Sequence, residues 1–254
     1  MENFIENPNL PNNKVSLALV DGRIDNEIED NFKKLNIRII KTKKIKGLDE
    51  SISYHPDIMI HHIGGNKIVA APNTDDELIC SLENEGFKII LGKKCATGSY
   101  PEDVPYNAAR FGDNVICNKK YTDEVLMQHF YDKKLKIIDV KQGYSKCNIC
   151  IVSKNAIITS DKGIHNIAME NGINSLLIKE GNIKLFNMNY GFIGGTSGAV
   201  SNKCIAFYGD VKSHPCYNEI NLFLQKCGKS LINLKENALL DMGTIIPLKE
   251  YSIV

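Results

Sequence analysis

The sequence predicts one domain of mixed α/β class, a five-bladed propeller of pseudo-symmetric ββαβ units that the C-terminal strand closes. Three features of the 254 residues support this prediction. One strand-helix-strand pattern recurs five times along the chain, and an extra apolar stretch precedes four of the five copies. The first copy lacks that stretch, but an apolar segment at residues 239–248 (LLDMGTIIPL) supplies it from the other end of the chain.

The recurring pattern consists of a short apolar strand, a polar turn, a helix and a second strand. The helices carry apolar residues on one face, as Ile28, Phe32 and Leu35 do in the first copy, which is the spacing of a helix packed on a sheet. A period of tens of residues indicates a repeat architecture. The first strands begin 42 to 53 residues apart, near Val15, Ile68, Val115, Ile157 and Ile205.

The apolar stretches that precede four of the copies are each expected to form a strand that pairs with the next one. Residues 239–248 are expected to pair with the first strand of the chain, because closing the ring removes sheet edges that would invite aggregation. The four stretches are residues 57–61, 107–110, 147–152 and 192–200. The five units therefore begin near residues 14, 57, 106, 146 and 191.

An open, doubly wound sheet is the alternative architecture for alternating strands and helices. That fold would place a glycine-rich phosphate loop between a strand and a helix. The richest glycine cluster, GFIGGTSG at residues 191–198, is followed by another strand, so no helix N-terminus is there to hold a phosphate. The cluster instead indicates a tight bend where two backbones approach closely.

Charge and cysteine usage limit the classes of function. With 31 basic and 30 acidic side chains the net charge is +1, which disfavours a nucleic-acid or membrane partner. No apolar run reaches membrane-spanning length, and the polar first 14 residues do not resemble a secretion signal. The eight irregularly spaced cysteines predict free thiols in the cytoplasm. No motif indicates a cofactor, and the oligomeric state stays open.

Several strings carry a family resemblance: YPEDVPYNA from Tyr100, GFIGGTSG from Gly191, GDVKSHP from Gly209 and LLDMGTIIPL from Leu239. Together with the repeats they resemble the pentein or guanidine-modifying fold, and most closely a small bacterial subgroup of it. That fold includes amidinotransferases, deiminases, dimethylarginine hydrolases and a ribosome-binding translation factor. The resemblance extends over residues 15–248 and implies five blades around a central channel.

The resemblance also implies where a catalytic site would lie, and this chain departs from it at three places. Enzymes of the fold use a cysteine of the closing strand as nucleophile, where this chain has Met242. They use a His-x-Asp string in the fourth hairpin, where this chain has residues 192–194 (FIG). Their Glu-Gly-Gly string of the third hairpin corresponds to residues 143–147 (GYSKC). The standard cysteine and histidine site is therefore absent.

A relocated catalytic site would use other residues. Cys147 begins a predicted strand and is a candidate nucleophile, although a buried cysteine can also act only as a small apolar residue. His214 precedes the fifth helix and lies four residues after Asp210, so the two form a candidate base with its orienting carboxylate. The alternative for His214 is packing at the start of that helix. Cys147 and Cys150 lack a second pair of ligands, so no metal site is predicted.

Five residues are candidate ligand contacts. Asp241 in the closing strand is expected to be an inward-facing carboxylate that binds a ligand or an ion-pair partner such as Arg110. Asp161 follows a strand and either caps the fourth helix or, by the resemblance, lies at the channel rim. The complete set is Asn107, Arg110, Asp161, Ser197 and Asp241.

Three functions are open from the sequence. The preferred one is the binding of a small polar ligand, guanidino or amino-acid-like, at the central channel without the cysteine hydrolase reaction. The second is an atypical amidino or guanidino hydrolase or transferase that uses Cys147 with His214. The third is a non-catalytic scaffold that binds a protein or the ribosome.

Overall fold

Five small sheets and seven helices make up the computed structural model, which describes residues 1–252. The strands are β1 (Glu2–Phe4), β2 (Val15–Val20), β3 (Arg38–Lys41), β4 (Ile60–Gly64), β5 (Lys67–Ala70), β6 (Lys88–Leu91), β7 (Ala109–Phe111), β8 (Asn114–Cys117), β9 (Lys136–Asp139), β10 (Cys150–Ser153), β11 (Ala156–Thr159), β12 (Asn174–Leu177), β13 (Ser197–Ser201), β14 (Cys204–Phe207), β15 (Ser230–Asn233) and β16 (Ile246–Tyr251). The helices are α1 (Asn26–Lys34), α2 (Pro56–Met59), α3 (Asp76–Asn84), α4 (Glu124–Asp132), α5 (Ser145–Asn148), α6 (Lys162–Glu170) and α7 (Tyr217–Lys226).

Four of the sheets share one plan. An antiparallel hairpin is followed by a helix and by a third strand that pairs in parallel, as in β4, β5, α3 and β6. The same order occurs in β7-β8-β9, β10-β11-β12 and β13-β14-β15. The ββαβ order predicted from the repeats is therefore confirmed for these units.

An aspartate begins the main helix in four of the five units. Its side chain accepts a hydrogen bond from a backbone N–H in the first turn, which satisfies a donor that has no partner within the helix. Removing such a cap costs about 1 kcal/mol. The four caps are Asp25, Asp75, Asp123 and Asp161.

The leading strands of the hairpins begin later than the sequence predicts. Residues 57–59 and 147–148 belong to the short helices α2 and α5, so β4 begins at Ile60 and β10 at Cys150. Pro56 occupies the first turn of α2, where its fixed φ angle favours a helix. In the fifth unit a 3₁₀ turn takes up residues 194–196 before β13 starts. The second, fourth and fifth units thus open with a tight turn before their first strand. In the third unit a turn closed by the N–H of Asn107 and the carbonyl oxygen of Val104 precedes β7.

The C-terminal strand pairs with the first unit. β16 runs antiparallel to β2, with Ile246 opposite Leu19 and Pro247 opposite Ala18, as predicted for the end of the chain. The strand is shorter than the predicted segment 239–248 and begins only at Ile246. Gly243 and Thr244 have positive φ angles of 67° and 78°, a left-handed conformation that does not continue a strand. β1 pairs with the other side of β16.

Four groups of buried apolar side chains connect neighbouring sheets. One group joins the sheets of β2, β5 and β8 through residues such as Leu19, Val69 and Val115. The others join the sheet of β8 to that of β11, the sheet of β11 to that of β14, and the sheet of β14 to that of β2. Each sheet therefore shares its core with more than one other sheet.

Two further observations bear on the predictions made from composition. Within residues 1–252, no helix has the length and apolar character needed to cross a membrane. All eight cysteines are free thiols, as their irregular spacing predicts.

Candidate functional site

The opening turns of three successive units meet inside the protein. The Cys147 thiol donates a hydrogen bond to Oδ2 of Asp57 at 3.0 Å. Nδ2 of Asn107 lies 3.2 Å from both the carbonyl oxygen of Asp57 and Sγ of Cys147. All three side chains are buried. Asp57, Asn107 and Cys147 thus form one hydrogen-bonded group, although Asn107 is 50 positions after Asp57 and 40 positions before Cys147 in the chain.

Asn107 also positions the backbone of α5. Its Oδ1 accepts hydrogen bonds from the backbone N–H groups of Lys146 (2.8 Å) and Cys147 (3.2 Å). These donors lie in the first turn of the helix, where no carbonyl of the helix can receive them. Asn107 therefore places the Cys147 thiol through the backbone as well as by direct contact.

Lys146 is buried beside this group. Its Nζ donates to Oγ1 of Thr244 at 2.5 Å, and that hydroxyl donates to the carbonyl oxygen of Ser197 at 2.8 Å. Burial lowers the pKa of the lysine amine, whereas the nearby Asp57 carboxyl acts in the opposite direction. Through Lys146, the fourth unit is connected to the fifth unit and to the closing segment.

Asp241 is held by a close-fitting cradle of backbone. Its two carboxyl oxygens accept hydrogen bonds from the N–H groups of Phe192 (2.8 Å) and Gly243 (3.0 Å). A Cβ on Gly195 would lie 1.8 Å from Oδ1 of Asp241, and one on Gly191 would lie 2.4 Å from its Cβ. The close approach of backbones predicted for GFIGGTSG is confirmed at Gly194, where a Cβ would lie 2.3 Å from the carbonyl oxygen of Lys146. Gly191 and Gly195 instead leave space for the Asp241 side chain.

His55 lies between Asp241 and the group around Cys147. The side chain is 1% exposed, and neither ring nitrogen has a hydrogen-bond partner in the described part of the chain. Its Nδ1 is 4.0 Å from Oδ1 of Asp241, which is beyond hydrogen-bond distance. Burial lowers the pKa of His55 to about 3, and the charge of Arg23 adds to this effect. The imidazole is therefore neutral at physiological pH.

The two buried carboxyl groups of the site, those of Asp57 and Asp241, have pKa values near neutral pH. Burial raises the pKa of Asp57 to about 7 and that of Asp241 to about 6. Burial also raises the pKa of the Cys147 thiol well above its ordinary value, and the neighbouring Asp57 and Asp241 carboxylates raise it further. Cys147 is therefore a protonated thiol in the protein as it stands.

A cavity of about 600 Å³ opens beside these residues, and we call it the acidic cavity. Carboxyl groups and aromatic rings line it together with small polar and aliphatic side chains, and no lysine or arginine of residues 1–252 lines it. The carboxyl groups belong to Asp49, Asp103 and Asp241, the rings to Tyr100, Tyr144, Tyr190 and Phe192, and two further lining residues are His55 and Cys147.

The aromatic rings of the cavity form a continuous series. Tyr100 lies 5.8 Å from Tyr144, Tyr144 lies 6.3 Å from Phe192, and Phe192 lies 6.0 Å from Tyr190, measured between ring centroids. The Tyr144 hydroxyl donates to Oδ2 of Asp103. The other oxygen of Asp103 is buried and has no partner among the described residues, and burial raises the pKa of this carboxyl. Asp103 thus offers a free acceptor next to an aromatic wall.

Of the candidates identified from sequence, three converge on this site. Cys147 and Asp241 line the acidic cavity, and Asn107 contacts Cys147. Ser197 is less direct, because its hydroxyl donates to the carbonyl oxygen of Ile193. Arg110 lies on β7 and donates to the carbonyl oxygen of Ile63, so the expected ion pair with Asp241 is not formed within the described residues.

The remaining candidates lie elsewhere. Nδ1 of His214 accepts a hydrogen bond from the N–H of Cys216 at 3.1 Å, and the residue does not line the acidic cavity. Asp210 caps a 3₁₀ turn and accepts from Nδ2 of Asn233, so no bond orients His214 through it. Asp161 caps α6, accepting from the N–H of Ile164 at 2.8 Å. The structure therefore does not bring His214 and Asp210 to Cys147.

Four residues of the site were missed from the sequence: His55, Asp57, Asp103 and Tyr144. One signal points to Asp57, because it occupies the same position in its unit as Asn107 and Cys147 do in theirs. No comparable signal marks His55, Asp103 or Tyr144.

Comparison with solved structures defines the class of fold. The chain is similar to the inosamine-phosphate amidinotransferase StrB1 from Streptomyces griseus, at 9% identity and a TM-score of 0.59, over 96% of this chain and 97% of the other. It is similar to SxtG, an amidinotransferase of Microseira wollei in the saxitoxin pathway, at 10% identity and a TM-score of 0.57, over 91% of each chain. The agmatine deiminase of C. jejuni gives 10% identity and a TM-score of 0.56, over 92% of this chain and 91% of the other. The fold is therefore the pentein, or guanidine-modifying, fold.

Comparison with family models gives the family itself. Residues 19–246 match the model described as "Family of unknown function (DUF6873)". The match spans most of the chain, and the chain belongs to this family. No curated protein matches the sequence significantly.

Proposed function

We propose that this chain binds a small organic cation of the guanidine or amidine class in the acidic cavity, without the cysteine hydrolase reaction of its fold relatives. The observation that carries the proposal is the composition of the cavity wall. Three carboxyl groups and four aromatic rings line it, and none of its lining residues in the described chain is a lysine or an arginine. Such a wall attracts a cation and repels an anion.

The shape of the ligand follows from the same wall. A planar cation gains about 0.5 to 2 kcal/mol from the face of each aromatic ring that it approaches. Guanidinium and amidinium groups are planar and donate parallel N–H bonds, which carboxylates accept in pairs. Oδ1 of Asp103 is free to accept one such N–H bond, while its Oδ2 accepts from the Tyr144 hydroxyl. A planar nitrogen cation can therefore stack on the aromatic rings of the cavity and donate N–H bonds to its carboxyl groups.

The fold relatives point to the same chemical class. The named relatives include two amidinotransferases and an agmatine deiminase. An amidino group and agmatine both contain a carbon bonded to several nitrogens. Sequence identities of 9% to 10% indicate a shared fold but do not indicate a shared reaction. The relatives therefore support this class of ligand only in combination with the residues of the cavity wall.

The proposal includes an arrangement of the five sheets as the blades of a propeller in a single domain, closed by β16. Two observations support it. The shared cores connect the sheets in a cyclic order that ends with the sheet of β14 against that of β2. The strand nearest the C-terminus also pairs with the first strand of the first unit. In this arrangement Asp57, Asn107 and Cys147 lie near the axis.

The proposed partner is therefore a small molecule, and neither a nucleic acid nor a membrane. A net charge of +1 supplies no general attraction for phosphate backbones or anionic lipids. The eight free cysteines support a reducing compartment, the cytoplasm, as the place where the chain works.

Agmatine should raise the melting temperature of the protein, with a shift that grows with ligand concentration as mass action requires. Its ureido analogue, which replaces the guanidinium by a neutral group of the same shape and keeps the primary ammonium, should give a much smaller shift. Asp103→Asn should weaken agmatine binding about tenfold, or about 1.4 kcal/mol, because it removes a charge and keeps an acceptor for Tyr144. Isothermal titration calorimetry measures both constants.

Asp76→Asn is the matched control for this substitution. Asp76 is an exposed aspartate in the first turn of α3 and lies outside the acidic cavity. It should leave agmatine binding unchanged. Equal binding of agmatine and its ureido analogue would show that the cavity does not select the guanidinium group. No binding of agmatine by the wild-type protein would contradict the proposal.

A second candidate function is an enzyme that uses Cys147 as nucleophile. The contact between the Cys147 thiol and Asp57 favours it, because an adjacent base activates a thiol. The raised pKa of the thiol argues against it, since even a pKa of 9.0 would leave about 1% of the thiol ionised at pH 7. Binding without turnover is therefore the preferred function. In the enzyme hypothesis His55 takes the role expected for His214, because it lines the cavity with Cys147.

Cys147→Ala separates the two candidates. If the protein only binds, ammonia release from agmatine should stay at background in both wild type and variant, while binding persists. Release that is present in the wild type and lost in Cys147→Ala would establish the enzyme instead. A colorimetric ammonia assay, with binding followed in parallel by calorimetry, measures both quantities.

A further inference from the structure

His55, Asp57 and Cys147 form a compact cluster of three different metal-ligand types. One ligand atom of each residue lies within 4.8 Å of the others. Sγ of Cys147 and Oδ2 of Asp57 are only 3.0 Å apart. The ligands of one zinc ion stand about 3.3 to 3.8 Å from one another, given bond lengths of about 2.0 to 2.3 Å. Ion binding therefore requires the three side chains to adjust from their positions in the structure, because their atoms lie up to 4.8 Å apart.

Several buried polar atoms of the cluster have no hydrogen-bond partner among the described residues, which favours a bound ligand. Both ring nitrogens of His55 and Oδ1 of Asp57 are buried and have no partner in the described chain. A buried polar atom without a partner costs about 1 to 3 kcal/mol, so native proteins rarely keep several of them together. An ion between these residues would give His55 and Asp57 the partner that the protein does not supply.

Charge balance favours a dication. A thiolate from Cys147, a carboxylate from Asp57 and a neutral imidazole from His55 carry two negative charges. A divalent ion cancels them, which removes the main cost of burying a thiolate and a carboxylate side by side. Sulfur and nitrogen ligands select zinc and similar metals over magnesium and calcium, which prefer oxygen.

The surroundings provide the support that metal ligands require. Asn107 donates to Sγ of Cys147 at 3.2 Å, and the Asp241 carboxylate approaches Nδ1 of His55 at 4.0 Å. Hydrogen bonds like that of Asn107 orient metal ligands in proteins, whereas Asp241 lies too far from Nδ1 of His55 to form one. His55 and Cys147 line the acidic cavity, so an ion reaches them from there.

We propose that His55, Asp57 and Cys147 bind one zinc ion at the wall of the acidic cavity. Asp57 of α2, Cys147 of α5 and His55, which immediately precedes α2, hold the ion, and its remaining position is left for water or a ligand. No metal site is predicted from the sequence, because the closely spaced pair Cys147 and Cys150 lacks a second pair of ligands. Zinc binding goes beyond the proposed function and is compatible with it, since Asp49, Asp103 and Asp241 still leave the cavity acidic. It excludes a free Cys147 nucleophile.

The test uses the full chain, freed of metal by dialysis against a chelator, and titrates it with zinc in competition with a chromophoric zinc indicator. The wild type should bind one equivalent. Cys147→Ser should weaken binding by more than about 100-fold, beyond what loss of a neighbouring hydrogen bond costs. Cys150→Ser, at a buried free thiol outside the cluster, should bind as the wild type does. Cobalt should give a thiolate-to-metal absorption band in the wild type and Cys150→Ser only.

Asp57→Asn keeps the shape of the side chain and provides a second test of the zinc site if Cys147→Ser fails to fold. It should fold by circular dichroism and bind zinc at least about tenfold more weakly than the wild type. Zinc binding by the wild type that is no tighter than that of Cys147→Ser, or binding that Cys150→Ser abolishes, would overturn the proposal. Agmatine binding is measured separately in the presence of the chelator, so a failure of zinc binding and a failure of cation binding give different results.

Discussion

Gly195→Ala should destabilise the protein by about 3 kcal/mol or more, and this is the largest effect of a single methyl group that we expect. The new Cβ would lie 1.8 Å from Oδ1 and 2.3 Å from Cγ of Asp241, far inside van der Waals contact. Either the backbone moves, or Asp241 leaves the N–H groups of Phe192 and Gly243 unpaired. Overpacking of this kind costs about 1 to 3 kcal/mol, and lost buried hydrogen bonds add to it. Urea-induced unfolding measures the free energy.

Two variants test whether the clash with Asp241 is the cause. Gly172→Ala is the control, because its φ is 78° but no atom lies within 4 Å of the new Cβ, so it should cost only about 1 to 2 kcal/mol. In an Asp241→Ala background, Gly195→Ala should cost much less than in the wild type, since the clashing carboxyl is gone. Equal costs in both backgrounds would show that another contact is responsible.

His62→Gln should flatten the dependence of stability on pH. Burial lowers the pKa of His62 to about 4 from its ordinary value of 6.5, so between these values the unfolded chain binds a proton that the folded protein does not. The stability that neutral His62 preserves is complete above pH 6.5 and is lost as the pH falls toward 4. One proton corresponds to about 1.4 kcal/mol per pH unit. The wild type should therefore lose stability more steeply than the variant by about this amount.

The difference between the wild type and His62→Gln isolates the contribution of His62 to the pH dependence of stability, because the other titrating groups are common to both proteins. Nε2 of His62 contacts the carbonyl oxygen of Gly65 at 2.9 Å, and the amide of glutamine can donate to the same oxygen. Arg110 acts on His62 in the same direction as burial. The raised pKa values of Asp57 and Asp241 act in the opposite direction on overall stability, but they are common to both proteins. Unfolding at pH 7, 6 and 5 gives the two slopes, and parallel slopes would contradict the prediction. His165→Gln, on α6, is the control.

The repeat order was predictable because it depends on local patterns. The apolar faces of the helices recur in each unit, and a capping aspartate begins the main helix in four of the five. Each of these patterns can be interpreted within about ten residues of chain. The starts of the leading strands were wrong because α2 and α5 are single turns of four residues, which have no periodicity of their own. Their tight turns are determined by contacts such as that of Asn107 with the backbone of α5.

The site was predictable only in part. Cys147, Asn107 and Asp241 could be identified because each stands at a marked position of its unit. His55 and Asp103 could not, because their importance comes from burial and from contacts made far along the chain. Pairing Cys147 with His214 failed for a related reason. Nearness of His214 to Asp210 in the sequence says nothing about which residues of other units lie beside them in space.

The meeting of Asp57, Asn107 and Cys147 has a consequence for how such a protein changes over evolutionary time. Because equivalent positions of these three repeats reach the same small space, a single substitution in any one of the three delivers a new functional group there without a new loop. Members of this family are therefore best compared by what these three turns jointly hold, whichever turn carries each group.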